Sequence, residues 1–320
     1  LWTDDLSWGL TQTKKQWKLL LFLPLLTITR REHYKYYLTS FLAAMTLSAF
    51  LSFLLWQELI HFKGVTPQFP IPFNSHISYN PLLALALYLL YHVIIFAPRP
   101  PAKQLAFLVP AALIMTGSMF ITTGRTGQAA FFILIILLTL QYFRKRIAFG
   151  LVAILIMLPV LLITAYNTGP GFRMRVNDTV ANLKEYRSKP DKSIPQRLTF
   201  AANSLHIAAD SIWFGVGTGD FPNEYKKINA AHSPSFKYTD DPHNHYLLVL
   251  TQFGVVGLLV FLSIFIIQIR QTFSINNGLH HFRVALPVFY LTIMAAGTYL
   301  LGHELSLSFA ITSSILNKPE

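Results

Sequence analysis

His243, Asn244, His245 and Tyr246 close a long polar stretch and open an apolar one, 247–269, with the carboxylates Asp240 and Asp241 just ahead of them. An imidazole at such a junction is cheap to solvate and reaches both a water-soluble group and a lipid headgroup. An enzyme acting on a lipid-linked substrate would place its proton acceptor there. Both histidines read equally well as interfacial anchors or helix-start residues, and position alone does not choose. Two arginines complement them. Arg125 sits in Thr122-Thr123-Gly124-Arg125-Thr126-Gly127, where flanking glycines let a phosphate approach the backbone closely. Arg197 opens a helix-like stretch, and its guanidinium can grip phosphate oxygens in pairs. The alternative for each is a surface ion pair or a headgroup contact.

The elements that must position these residues are membrane helices. Of 320 residues, 53% are hydrophobic and 12% charged, about half the charged share of a soluble domain. Apolar runs near 17–29, 37–56, 82–96, 105–122, 129–143, 148–166, 246–269 and 284–301 read as spans, and 305–316 as a last span or an interfacial helix. The fold class is therefore all-α, a polytopic helical membrane protein with one large extramembrane loop. The division expected is transmembrane helices over 1–166, the loop over 167–242, and C-terminal transmembrane helices over 243–320. Nothing at the N-terminus resembles a signal peptide, so the spans themselves direct insertion, and Leu1 is not an initiator. There are no cysteines, which excludes disulfides.

Basic residues orient the spans. Arg30, Arg31 and Lys35, then Arg99 and Lys103, then Arg144-Lys145-Arg146, then Arg270 and Arg283 alternate as a cytoplasmic set should. Much of the +12 net charge is thus topological, and no nucleic-acid partner is read from it. The opposite face receives 57–80, the turn around Arg125, and 167–241. That last loop has a turn-rich exit at Asn167-Thr168-Gly169-Pro170-Gly171 and an exposed polar break at Arg187-Ser188-Lys189-Pro190-Asp191-Lys192. A helix opens at Pro195-Gln196-Arg197, with Leu198, Ala201, Ala202, Leu205 and Ala208 at roughly helical spacing. Gly215-Val216-Gly217-Thr218-Gly219 lacks the context of a nucleotide fold and reads as a plain turn. His280-His281 reads as solvated, and His303-Glu304 as a helix-terminal pair.

No Asp or Glu occurs between Glu58 and Asp178. A cation-driven transporter keeps a carboxylate at membrane depth, and a metal-dependent transferase needs carboxylates around its cation. With no metal and no cofactor expected, arginines must neutralise any diphosphate this chain handles.

These residues add up to a resemblance. His243-Asn244-x-Tyr246-Leu247-x-x-Leu250 with Gly254 and Gly257 resembles the signature of the bacterial O-antigen ligase family, a superfamily shared with O-antigen polymerases and pilin oligosaccharyltransferases. Thr123-Gly124-Arg125-Thr126-Gly127 is similar to its arginine turn, with Gly124 in place of the usual serine. Arg197 and Trp213-Phe214-Gly215-Val216-Gly217 resemble its second arginine and glycine stretch, with Phe214 where proline is common. Leu1-Trp2-Thr3-x-Asp5 is like an element that normally follows about three spans, so the family's first spans are expected to be absent from this sequence.

The resemblance implies a glycosyltransferase of the family C-like membrane class, metal-independent and inverting, in the bacterial inner membrane with its active site facing the periplasm. The donor would be a glycan on undecaprenyl diphosphate and the acceptor lipid A–core. Membrane lipids would be the remaining partner. His243 would be the general base, for which an imidazole pKa of about 6.5 is suited. Arg125 and Arg197 would bind the diphosphate. Asp240 or Asp241 would orient or charge-stabilise the imidazole, and Asn244 and Tyr246 would cap the helix or bind sugar, capping being favoured. An O-antigen polymerase or a protein oligosaccharyltransferase would use the same donor and the same residues. Outside the enzymes, a flippase or transporter for the lipid-linked glycan is the rival.

Overall fold

The computed structural model describes residues 2–73, 75–96, 101–184, 193–274 and 278–318. Arg99 and the polar break at 187–192 lie outside the described residues. Helix makes up 79% of the described residues, and among them the only extended pairing is one bridge between Thr66 and Phe69. The protein is an all-α polytopic membrane protein.

Among the described residues thirteen α-helices form in order. They are α1 (Leu6–Gln16), α2 (Phe22–Ile28), α3 (Tyr34–Trp56), α4 (His76–Phe96), α5 (Ala102–Ile121), α6 (Arg125–Tyr142), α7 (Ile147–Thr168), α8 (Pro170–Lys184), α9 (Ser193–Asp210), α10 (Phe221–His232), α11 (His245–Ser274), α12 (His280–Met294) and α13 (His303–Leu316). Six of them, α3 to α7 and α11, are long and apolar enough to cross a bilayer. Two expected spans are not single helices of that length, and neither is the run read as a last span or an interfacial helix. Run 17–29 divides into a 3-10 turn, Trp17–Leu21, and the short α2. Run 284–301 stops at Met294, and the 14-residue α13 is too short.

The chain packs as two compact units, residues 30–177 and residues 1–29 with 178–320. In the first unit α4 is the central helix, buried along most of its length and packed mainly on α6 and α5. Lipid offers no hydrophobic drive between such helices, so close approach and polar cross-links hold them. The Tyr88 hydroxyl donates to Gln141 Oε1 (2.8 Å), and Asn80 Nδ2 donates to Thr122 Oγ1 (2.7 Å). Gly127 makes that contact possible, because a Cβ there would lie 2.3 Å from the Asn80 carbonyl carbon.

In the second unit α9 and α10 bury Phe200, Ile207, Phe221 and Tyr225 between them. Asn203 Nδ2 donates to Tyr225 Oη (3.1 Å) and Ser233 Oγ (2.7 Å), so the buried polar groups there are paired. The 30-residue α11 is broken at Gly254 (φ 66°, ψ −167°), a conformation open essentially only to glycine. The break frees main-chain groups that an apolar setting cannot leave bare. The 212–217 segment satisfies them. Val216 N–H donates to the Thr251 carbonyl (2.8 Å) and Gly217 N–H to Gln252 (3.0 Å), while Val255 and Val256 donate to Ile212 (2.8 Å) and Trp213 (3.3 Å). The glycine stretch expected to be a plain turn is thus a splint for a broken helix. Side chains cannot intrude, since a Cβ on Gly254 would fall 2.2 Å from the Trp213 carbonyl carbon.

Candidate functional site

His243 occupies the loop between α10 and α11, immediately before α11 begins. Its side chain is exposed, and its backbone is left-handed (φ 52°), a strained setting for any residue but glycine. Two local devices hold it there. Asp241 Oδ1 accepts the His243 main-chain N–H at 2.7 Å, closing a short side-chain turn. Asp241 Oδ2 accepts the Thr298 hydroxyl at 2.5 Å. The imidazole itself stacks on Phe200 of α9, ring centroids 5.7 Å apart and 25° from parallel.

The interruption of run 284–301 now has a reason. Where α12 ends, the Ala295 carbonyl accepts Asn244 Nδ2 (3.1 Å) and Thr298 reaches Asp241. A continuous helix would direct both groups elsewhere, so the break builds the cradle of the histidine loop. Asn244 also caps α11, its Oδ1 accepting the N–H groups of Tyr246 (3.0 Å) and Leu247 (3.1 Å). The Tyr246 hydroxyl donates to the Leu291 carbonyl (2.5 Å), tying α11 to α12. Asp241 thus acts on the His243 main chain, Thr298 braces Asp241, Asn244 caps the start of α11, and Tyr246 ties that start to α12. The Asp241 carboxylate meets the His243 main chain with one oxygen and the Thr298 hydroxyl with the other. Asp240 is exposed, and Tyr238 has its phenol pushed above its ordinary value by burial and then by the Asp240 charge.

Arg197 is exposed on α9, three residues before Phe200. Arg197 therefore lies within one helical turn of the residue on which His243 stacks. His245 differs entirely. It is buried on α11 against Phe261 (5.2 Å between centroids), and its Nδ1 has no hydrogen-bond partner.

The other unit holds Arg125 by itself. It is the first residue of α6, half-buried, directly after Gly124. The free N–H groups and dipole of a helix start favour an anion there. The opening of α8 packs on the preceding turn, since a Cβ on Gly171 would lie 2.8 Å from the Ile121 carbonyl oxygen. That helix carries Arg173 and Arg175. Arg173 is engaged with the carbonyls of Tyr166 and Asn167, whereas Arg175 is near enough to His76 for its charge to act on the imidazole. Two buried polar atoms at this turn, Asn80 Oδ1 and Thr123 Oγ1, have no hydrogen-bond partner. Such atoms are costly unless a ligand or solvent completes them.

Sequence reasoning missed Phe200, Thr298, Arg175 and Asn80. Nothing marked Phe200 or Thr298, because their partners lie tens of residues away. Nothing local distinguishes Arg175 from the other basic residues of a long loop.

Residues 110–262 match a protein-family model described as O-antigen ligase. That stretch contains Arg125, Arg175, Arg197, His243 and the broken start of α11. A comparison with curated proteins finds no match.

Proposed function

With residues 110–262 belonging to the O-antigen ligase family, whose members are ligase- and polymerase-type glycosyltransferases, we propose that this protein transfers a glycan from a polyprenyl diphosphate to a sugar hydroxyl of lipid A–core at the periplasmic face of the bacterial inner membrane. His243 is the general base. It takes the proton of the acceptor hydroxyl as that oxygen attacks the anomeric carbon from the face opposite the diphosphate. The anomeric carbon–oxygen bond to the diphosphate breaks, the configuration inverts, and the leaving group carries the electron pair away. Its developing charge is met by guanidiniums, which need no reorganisation at the moment of reaction. Arg125 and Arg197 have that role, and Arg175 is added to them.

The observation that carries the reading is the treatment of His243. Its ring is solvent-accessible, its backbone is strained, and a dedicated set of contacts from Asp241, Asn244 and Thr298 holds the strain in place. Such strain persists where function needs it. The test is purified protein in proteoliposomes with a polyprenyl diphosphate-linked glycan, offered lipid A–core and a second lipid-linked glycan side by side. Transfer to lipid A–core, absent in His243→Ala, is expected. Transfer only to the lipid-linked glycan would make the protein a polymerase, and movement of the glycan across the bilayer without transfer would overturn the enzyme reading.

A further inference from the structure

A cavity lies within the unit that carries His243. It encloses about 370 Å³ and is lined by Trp2, Asp210, Ser211 and Glu224 over a floor that includes Ile207 and Val216. The volume is in the range of a small-ligand site. Nothing in the chemistry assigned above uses any of these residues.

Its lining is of three kinds. Trp2 presents a half-exposed indole, braced edge-on by Phe253 at 6.5 Å. Asp210 and Glu224 supply carboxylates, and Ser211 a hydroxyl. Lys227 steadies Glu224 from outside at 2.6 Å. The indole is also held in position. The buried Asp220 carboxylate accepts the N–H groups of Asp4 (2.9 Å) and Asp5 (2.8 Å), and Gly219 N–H donates to Thr3 Oγ1 (2.9 Å). The segment bearing Trp2 is thereby pinned to the loop that splints α11.

A flat aromatic face matches the C–H face of a pyranose, and a carboxylate can accept from adjacent hydroxyls with charge-assisted strength. The same carboxylates repel phosphate. We propose that this cavity is a subsite for an uncharged sugar residue of the acceptor glycan, distinct from the diphosphate-binding arginines. The proposal rests on the glycosyltransferase reading only for the word acceptor. Helix α9 links the two places, with Phe200 against His243 at one position and Ile207 and Asp210 at the cavity seven and ten residues further on. Ten helical residues span about 15 Å, longer than one sugar. The enzyme therefore reads an oligosaccharide, with the reacting hydroxyl at His243 and an inner or neighbouring residue in the cavity.

The test has a binding arm and a kinetic arm, both on the full chain in nanodiscs. The binding arm follows tryptophan emission during titration with maltotriose and chitotriose, in the wild type, in His243→Ala, and in the double variant Asp210→Asn/Glu224→Gln. A saturable change is expected for at least one trisaccharide, unaffected by His243→Ala or by inorganic diphosphate. In the double variant it should weaken about tenfold or more, the scale of one charge-assisted hydrogen bond. The kinetic arm measures Trp2→Ala and the double variant, whose acceptor KM should rise about tenfold while donor KM and kcat stay within about threefold. No saturable response to either sugar, a response that survives the double variant, or competition by diphosphate would overturn the proposal. Sugar binding that obeys these rules in a protein with no transfer activity would refute the catalytic reading alone and leave the subsite standing.

Discussion

Asp241 separates two ways of supporting a histidine, and replacing it by alanine and by asparagine tells them apart. In the structure its carboxylate meets the His243 main-chain N–H at 2.7 Å and the Thr298 hydroxyl at 2.5 Å. Alanine removes both acceptors. Hydrogen bonds to a charged group contribute about 1.5–3 kcal/mol each, and at this half-exposed site the lower end applies. A left-handed backbone at a non-glycine residue costs about 1–2 kcal/mol, which the turn then no longer offsets. A net loss of about 3 kcal/mol in the productive conformer corresponds to roughly 10²-fold in kcat/KM. Asparagine keeps Oδ1 for the His243 N–H, and the Thr298 hydroxyl can rotate to accept from the new amide. Asp241→Asn should therefore stay within about fivefold of wild type, and Thr298→Val should fall between the two, near tenfold. The assay is initial transfer rate in proteoliposomes at saturating donor, normalised to folded protein. Were Asp241 instead stabilising a protonated imidazole, loss of its charge would matter most, and asparagine would be as damaging as alanine. That outcome would refute the backbone-positioning argument.

The two neighbouring histidines should part company. His243→Ala should abolish transfer by about 10²–10⁴-fold with the melting temperature little changed, whereas His245→Ala, emptying a site against Phe261, should lower the melting temperature yet keep most of the rate per folded molecule; the reverse pattern would move the base to His245. Arg125→Lys and Arg175→Lys should lose activity, and the alanine variants more, up to about 10²–10³-fold in kcat/KM, since only the planar fork serves a diphosphate in pairs; full activity in Arg175→Ala would remove it from that role. Gly254→Ala should fail to reach the membrane in folded form, because its Cβ would fall 2.2 Å from the Trp213 carbonyl carbon at a φ of 66°, and normal yield with normal thermal stability would show that the break can close. In the naturally cysteine-free chain, single cysteines at 197 and 243 should label from the periplasm and one at 145 from the cytoplasm, and labelling of 145 from outside would invert the topology.

What the sequence could tell was whatever is written locally. The runs that became α3 to α7 are apolar throughout and need no distant partner to be helical, so composition sufficed. Asn244 stands before a helix start, and a cap is a contact with the next two or three residues, readable at that distance. The breaks were not readable, because each depends on groups remote in sequence. Residues 247–269 look uninterrupted, and only the segment at 212–217 makes it favourable for the chain to open at Gly254. Residues 284–301 likewise look like one span until the demands of Asp241 and Asn244 on Thr298 and Ala295 are known.

Asp241 shows the same distinction between local and remote partners. Proximity in sequence sets Asp240 and Asp241 just ahead of a histidine and suggests that one of them orients or charge-stabilises its ring. A two-residue separation also favours a bond from side chain to main-chain N–H, which needs no particular rotamer of the histidine. That bond leaves the second oxygen pointing at whatever the fold supplies, here a hydroxyl 57 residues on. The imidazole is thereby left facing outward, stacked on Phe200 and available to a hydroxyl from another molecule. A carboxylate spent on the ring would have tethered it to its own loop. Support through the backbone keeps the base both fixed and accessible, as an intermolecular proton transfer requires.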